Sequence, residues 1–108
     1  MSSRLEVVCC SPTDAVDAEA LGVHRVELCA AITLGGLTPS TGLLTAARSR
    51  CSLPIMAMIR PRAGGFVYDD SEFEAMQHDA DALLESGADG VVFGILDEQG
   101  RIDRSRCC

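Results

Sequence analysis

The stretch LEVVCCSPTDAVDAEALGVHRVELC, residues 5–29, decides the fold class of this chain. Its first six residues form an apolar run with a single charge, which is typical of a buried strand. Ser11 is a good N-cap and Pro12 suits a first helical position, so a helix is predicted to follow and to end at Gly22. The last five residues, from Arg25 onward, predict a second strand.

The same alternation of apolar runs and helix signals continues to the end of the chain. We predict a second helix over 41–50, a third strand over 54–59, a third helix that begins at the capping box Ser71-Glu72-Phe73-Glu74, and a fourth strand over 90–94. The order βαβαβαβ with nearly continuous apolar strands predicts a parallel sheet covered by helices, followed here by a polar tail.

A repeated sequence segment favours a TIM (β/α)8-type barrel over a Rossmann sheet. The phrase GVHRVEL over 22–28 resembles GADGVVF over 87–93, so a helix stop followed by a strand occurs twice. No G-x-G-x-x-G follows the first strand, which weakens the Rossmann alternative. We therefore predict an α/β fold that holds the first half of a barrel, with residues 1–108 forming a single domain that ends before closure.

Composition excludes several classes of protein. The net charge is −7 and all nine basic residues are arginine, so nucleic-acid binding is not expected, because phosphate contacts need clustered positive charge. No apolar run approaches the roughly 20 residues that a membrane span needs. The start at Met1 lacks the pattern of a signal peptide. We expect a cytoplasmic protein without a membrane partner.

Alternation of side chains along the strands predicts a charged site. Glu6 and Glu27 lie within strands that should have no solvated face, so we expect them to be buried near Arg60, or near Arg62 if the third strand runs on. These four side chains form either a site for a small anionic ligand at the barrel mouth or an internal salt-bridge network. Ser40 lacks a visible base partner, so no catalytic residue is identified.

Six cysteines are many for this length, and they lack the spacing of a zinc site or a disulfide scaffold. In a cytoplasmic protein their thiols stay reduced. Most are expected to be small buried hydrophobic residues. Cys29 is the cysteine for which a function is favoured. It follows the second strand, at the end of the strands where barrel sites are built.

Several motifs in one order resemble the CutC copper-homeostasis family. They are EVVC over 6–9, RVELC over 25–29, GGLTPS over 35–40 with Gly42, MIRPR over 58–62, Gly65-Phe66 with Tyr68, GADGVVFG over 87–94, and Gly100 with Ile102-Asp103. The resemblance covers nearly the whole chain. It implies a complete TIM barrel of roughly twice this length, cytoplasmic and often oligomeric, with a role in copper handling.

The resemblance further implies Cu(I) as a partner, bound by cysteines at the ends of the first two strands. Thiolates are soft ligands that suit Cu(I). Cys29 matches one proposed ligand, whereas Val8 stands where the family usually has the other cysteine. Cys10, on the same strand face as Val8, can substitute for it, and Cys9 is the adjacent alternative on the opposite face.

Three interpretations of the chain remain open from its sequence. The first is a copper-homeostasis protein, and the second is a barrel enzyme or sensor for a small anionic metabolite. The third is a truncated, non-functional half-barrel or a fragment in which the charges are structural. Four strands leave two sheet edges and an apolar face uncovered, so we expect the isolated chain to self-associate or to be poorly stable.

Overall fold

The computed structural model describes residues 3–108 of the chain. It contains four strands, β1 (Glu6–Cys9), β2 (Arg25–Leu28), β3 (Ile55–Met58) and β4 (Gly90–Val92). The helices are α1 (Pro12–Ala20), α2 (Thr41–Arg50), α3 (Asp70–Glu85) and the short α4 (Arg104–Cys107), with a 3-10 turn over Ile32–Leu34. The predicted alternation of strands and helices is therefore confirmed.

All four strands are parallel and pair in chain order, β1-β2-β3-β4. In the ladder, Val8 lies opposite Glu27, and Glu27 lies opposite Met56 on the next strand. The strands are one or two residues shorter than predicted. As a result Cys10, Cys29 and Arg60 follow the strands closely, at the carboxyl edge of the sheet where barrel sites are usually built.

The helices cover only one face of the sheet. Alternate strand residues such as Val26 and Leu28 in β2, and Ile55 and Ala57 in β3, are completely buried in a core shared with Leu44 of α2. The opposite face carries half-buried or exposed side chains, and the core of the described residues contains no buried charged group. Glu6 and Glu27 are only half-buried, so the prediction that both strand carboxylates would be buried is wrong, because no helix of the described residues covers the second face.

The start of α3 corrects one predicted boundary. Asp69, not Ser71, caps this helix: the Asp69 carboxylate accepts from the Glu72 amide at 2.8 Å, and the Glu72 carboxylate accepts from the Asp69 amide at 2.9 Å. The sequence offers two overlapping capping boxes, and the earlier one adds helical residues. Ser71 lies inside the first turn, where its hydroxyl donates to Asp69 at 2.8 Å.

The repeated phrase in the sequence corresponds to a repeated turn. Gly22 and Gly87 both adopt positive φ angles, of 83° and 115°, shortly after their helices. In each turn the following residue donates its amide to a carbonyl five residues earlier, Val23 to Ala18 at 3.3 Å and Ala88 to Leu83 at 3.1 Å. A left-handed residue that ends a helix favours glycine, which explains why the phrase begins with one.

Candidate functional site

Two thiols meet at the carboxyl edge of the sheet. The Sγ atoms of Cys10 and Cys29 lie 3.5 Å apart, where β1 and β2 end side by side. The amide of Cys29 donates to the carbonyl of Cys9 at 3.0 Å, and the amide of Cys10 donates to Asp14 in the first turn of α1 at 3.0 Å. Backbone contacts on both strands therefore fix the position of the pair.

Cys29 is completely buried, whereas Cys10 is partly exposed. The loop after β2 covers Cys29, because a side chain at Gly36 would come within 3.3 Å of its Sγ atom. Burial, with a further contribution from the hydrogen bond to Cys10, raises the pKa of the Cys29 thiol to about 12. The thiol is therefore protonated at neutral pH, and Cys10 is the member of the pair that solvent reaches.

Cys9 does not belong to this pair. Its side chain points into the helix-covered core with 1% of its surface exposed, and burial raises the pKa of its thiol to about 11. Val8 lies on the same face as the pair but is an apolar, half-exposed residue. The sequence left Cys10 and Cys9 open as the neighbour of Cys29, and in the structure it is Cys10 that lies beside Cys29, whereas Cys9 lies on the other side of the sheet.

The predicted acid–arginine partnership is wrong. Glu6 accepts from Arg25 at 2.5 Å, across the amino-terminal end of β1 and β2. Burial raises the pKa of Glu27 above its usual range, and the neighbouring Glu6 carboxylate raises it further. Since Glu27 is aligned with Met56, Arg60 lies four residues further along, about 13 Å at the rise of a strand.

Arg60 instead joins the two long loops at the carboxyl edge. Its guanidinium donates to the carbonyls of Leu34 at 3.0 Å and Gly64 at 3.0 Å, with a longer contact to Gly36 at 3.4 Å. It also lies over the ring of Phe66, 5.1 Å from the centroid. Within residues 3–108 no carboxylate lies within ion-pair distance of this guanidinium.

Arg62 has a different environment, although it is only two residues away. Its Nε atom donates to Glu72 at 2.5 Å, and its guanidinium lies 4.7 Å from the centre of the Tyr68 ring. The Arg62 interaction holds the pKa of Glu72 below its usual range. The charge of Arg62 is therefore compensated, so the four residues predicted as one site form three separate groups.

The available donor atoms limit the metal that this part of the chain can hold. Across residues 3–108, no three or more histidine, cysteine, aspartate or glutamate side chains are arranged to hold a metal ion together. The two adjacent thiols suit a soft ion of low coordination number, such as Cu(I), and do not suit zinc, which takes four ligands in structural sites.

The described helices also bear on membrane association. None of them combines the length and the hydrophobicity that crossing a bilayer requires.

Curated relatives share most of this chain. A family protein CutC from Treponema denticola is 46% identical over 104 residues, which cover 96% of this chain and 42% of that protein. The human copper homeostasis protein cutC homolog is 45% identical over 103 residues, which cover 95% of this chain and 38% of the human protein. The chain therefore spans about two fifths of the length of these relatives.

A solved structure shows the same fold. The crystal structure of the putative copper homeostasis protein CutC from Streptococcus agalactiae matches with a TM-score of 0.86 and 33% sequence identity, covering 97% of this chain and 52% of that one. The parallel sheet and its helices thus correspond to about half of that α/β fold, as expected for a partial TIM barrel. The family model described as CutC family matches residues 3–108. The chain belongs to the CutC family.

Proposed function

We propose that this chain supplies a Cu(I)-binding thiol pair, Cys10 and Cys29, to a copper homeostasis protein. The observation that carries the proposal is the 3.5 Å separation of the two sulfur atoms at the carboxyl edge of the sheet. Soft sulfur ligands favour Cu(I) over harder ions. In this proposal Cu(I) is the ion that the protein handles, and the thiol pair binds this ion while it is being transferred.

The arrangement supports two-coordinate binding by Cu(I). A filled d shell imposes no ligand-field geometry, so Cu(I) is satisfied by two thiolates on opposite sides. The position of Cys10 in a partly exposed turn allows its sulfur to move away from Cys29 and admit the ion. Because the pKa of Cys29 is about 12, binding must release its proton, and affinity should rise with pH.

A competition titration against a chromophoric Cu(I) chelator tests the proposal. The parent chain should withdraw one equivalent of Cu(I) under anaerobic, reducing conditions. Cys10→Ser and Cys29→Ser should each lose this equivalent. Cys108→Ser is the control for a general loss of thiols, because Cys108 is exposed and remote in sequence from the pair.

The adjacent cysteine provides a sharper control. Cys9→Ala removes a neighbouring thiol that faces the core, so copper retention should be unchanged even though the protein is less stable. Equal copper retention by Cys29→Ser and the parent would refute the assigned site. Loss of binding in Cys9→Ala, with a folded protein by circular dichroism, would move the site to the other face of the sheet.

The cellular setting forms part of this proposal. The human relative is named a copper homeostasis protein, and we extend that role to the protein containing this chain. A site made of reduced thiols is compatible with the cytoplasm, where disulfides are rare. We expect the isolated chain to self-associate through the uncovered face of its sheet.

The second candidate, a barrel that binds a small anionic metabolite, needs revision. Glu6 and Glu27 lie away from Arg60, and Arg62 is neutralised by Glu72. The single observation that still favours an anion is the uncompensated charge of Arg60. A screen of metabolites by thermal shift, comparing the parent with Arg60→Ala, tests this candidate separately from copper, because it requires no metal.

A further inference from the structure

The sheet has two free edges, formed by strands that run in the same direction. β1 and β4 are the outer strands, and within residues 3–108 no further strand pairs with the free side of either one. Because both strands are parallel to their neighbours, the free edge of β4 can pair in the parallel manner with the free edge of β1 in a second copy. Exposed strand edges favour pairing with another chain.

The shape of the chain is that of an open shell. Four parallel strands are half the number in a TIM barrel, and helices cover only the outer face of the sheet. The radius of gyration is 14.3 Å, whereas a compact domain of this length has about 13 Å. On the uncovered face, Val8 exposes 47% of its surface, and Met58 and Val92 are half-buried. Four more strands would turn this face into the interior of a closed barrel.

The flank beside β4 combines apolar surface with an unpaired positive charge. A groove of about 330 Å³ lies between α3, α4 and β4, and Phe93 on its wall exposes 43% of its surface. In α4, Arg106 contacts Asp70 of α3 at 2.6 Å. Arg104 lies two positions earlier, about 200° around the helix, and therefore on the flank turned away from α3. It is exposed, and no carboxylate of residues 3–108 lies within 4 Å of it.

The flank beside β1 carries the opposite charge, because α1 contains three acidic residues and no basic one. Glu19 faces the end of α2, where it accepts from the amide of Ser52 at 3.2 Å. Helical spacing places Asp14 and Asp17 on the other flank, turned away from α2. Asp17 is exposed and makes no ion pair with any described residue. Both α1 and α4 begin near the carboxyl edge of the sheet, so the acidic and basic flanks lie at the same level.

We propose that two copies of this chain form a closed eight-stranded barrel, with β4 of each copy paired to β1 of the other. A two-fold axis along the barrel makes the two junctions identical. At each junction Arg104 lies beside Asp17 of the second copy, because α4 of one copy is followed around the barrel by α1 of the next. Pairing satisfies backbone groups that the single sheet leaves to water, and closure encloses the apolar face. The dimer requires no copper, so it is independent of the thiol pair.

Sedimentation velocity of the intact, metal-free chain tests the stoichiometry. Dimers should be the largest species as the concentration rises, because two half-circles of strands close and leave no edge for a third copy. A monomer at every concentration would overturn the proposal. A series of ever larger species would overturn it as well, because copies would then add to one another without closing.

Charge reversal assigns the junction. Arg104→Glu and Asp17→Arg each place like charges at both junctions, so each should weaken dimerisation roughly tenfold or more. The two changes combined in one chain restore opposite charges, and dimerisation should return to near the parent level. Arg50→Glu is the matched control, since it reverses an exposed arginine at the end of α2, away from both edges, and it should dimerise like the parent. Circular dichroism checks that each variant is folded.

Hydrogen exchange followed by mass spectrometry locates the contact. Peptides that cover β1 and β4 should gain protection as the dimer forms, whereas β2 and β3 already have a neighbour on both sides. No gain at the outer strands would overturn the proposal in favour of two sheets stacked face to face, which leaves the edges free. Unchanged dimerisation in both single reversals, or no recovery in the double variant, would equally refute the assigned junction.

Discussion

Gly35 provides the sharpest test of how Arg60 organises the carboxyl edge of the sheet. It has a φ angle of 91°, a conformation that favours glycine. A Cβ atom added there would lie 2.8 Å from Nη1 of Arg60, the atom that donates to the carbonyls of Leu34 and Gly36. Gly35→Ala should therefore strain the backbone and displace the arginine as well.

The expected cost has two parts. A non-glycine residue in the left-handed region costs about 1–2 kcal/mol. Moving Nη1 away from its two carbonyls removes hydrogen bonds with a net value of about 0.5–1.5 kcal/mol each. The free energy of unfolding should therefore fall by about 2–5 kcal/mol in Gly35→Ala.

Gly22→Ala is the matched control for the backbone term. Gly22 also has a positive φ, 83°, but no atom lies within 4 Å of the position that a Cβ atom would take there. Both substitutions reduce the entropy of the unfolded chain equally, so this effect cancels in the comparison. Gly22→Ala should cost only about 1–2 kcal/mol, and the excess in Gly35→Ala measures the displacement of Arg60.

Urea denaturation followed by circular dichroism gives the free energies, at concentrations where sedimentation shows one species. In an Arg60→Ala background, Gly35→Ala should cost no more than Gly22→Ala, because the contact no longer exists. The reasoning is refuted if Gly35→Ala and Gly22→Ala are equally destabilising in the parent chain, or if the excess persists without Arg60.

Two further predictions concern the uncovered face of the sheet. The pKa of Glu27 is raised in the folded state, so the folded chain binds this proton more tightly and loses stability as pH rises from the ordinary glutamate value through the raised one. Thermal melts should therefore show that the stability of Glu27→Gln relative to the parent increases as the pH rises above the ordinary glutamate value, and parallel curves would contradict the assignment. Sedimentation velocity should show that the isolated chain self-associates, and that Val8→Glu, on a half-exposed position of that face, weakens the association. A monodisperse parent that unfolds cooperatively as a monomer would exclude it.

Much of the fold was predictable because its signals are local. A short, largely apolar run and a glycine after a helix each indicate an element without reference to the rest of the chain, so β1 to β4 and their order along the chain follow from the sequence. The exact start of α3 did not, because Asp69 and Ser71 both precede a glutamate by three residues. Only the completed turn decides which of the two capping boxes forms.

The candidate site was predictable only where the alternation of side chains along a strand was enough to decide which residues lie together. Parity places Cys10 and Cys29 on one face, and both follow the ends of neighbouring strands, so their contact follows. Parity also places Glu27 and Arg60 on one face, yet it gives no position along the strand, and the register aligns Glu27 with Met56 instead. The predicted ion pair failed for that reason.

The burial of Tyr68 was not predicted, because this residue lies in a loop without periodicity. The available signal was chemical: it is the one tyrosine of the chain, placed shortly after two arginines in the segment Arg60-Pro-Arg62. The side-chain geometry of the loop, in which Arg62 covers the ring and the hydroxyl remains buried, cannot be read from spacing.

The paired turns at Gly22 and Gly87 have a consequence for how the chain tolerates changes in length. They close helices of 9 and 16 residues with the same hydrogen bond, and each delivers a parallel strand to the sheet. A difference of seven residues is about two helical turns. The chain therefore leaves the longer helix, at its glycine, in the same direction around the helix axis as it leaves the shorter one. Inserting or deleting seven residues in one of these helices should therefore leave the sheet in register. A change of two residues would instead rotate the direction in which the chain leaves the helix by more than half a turn.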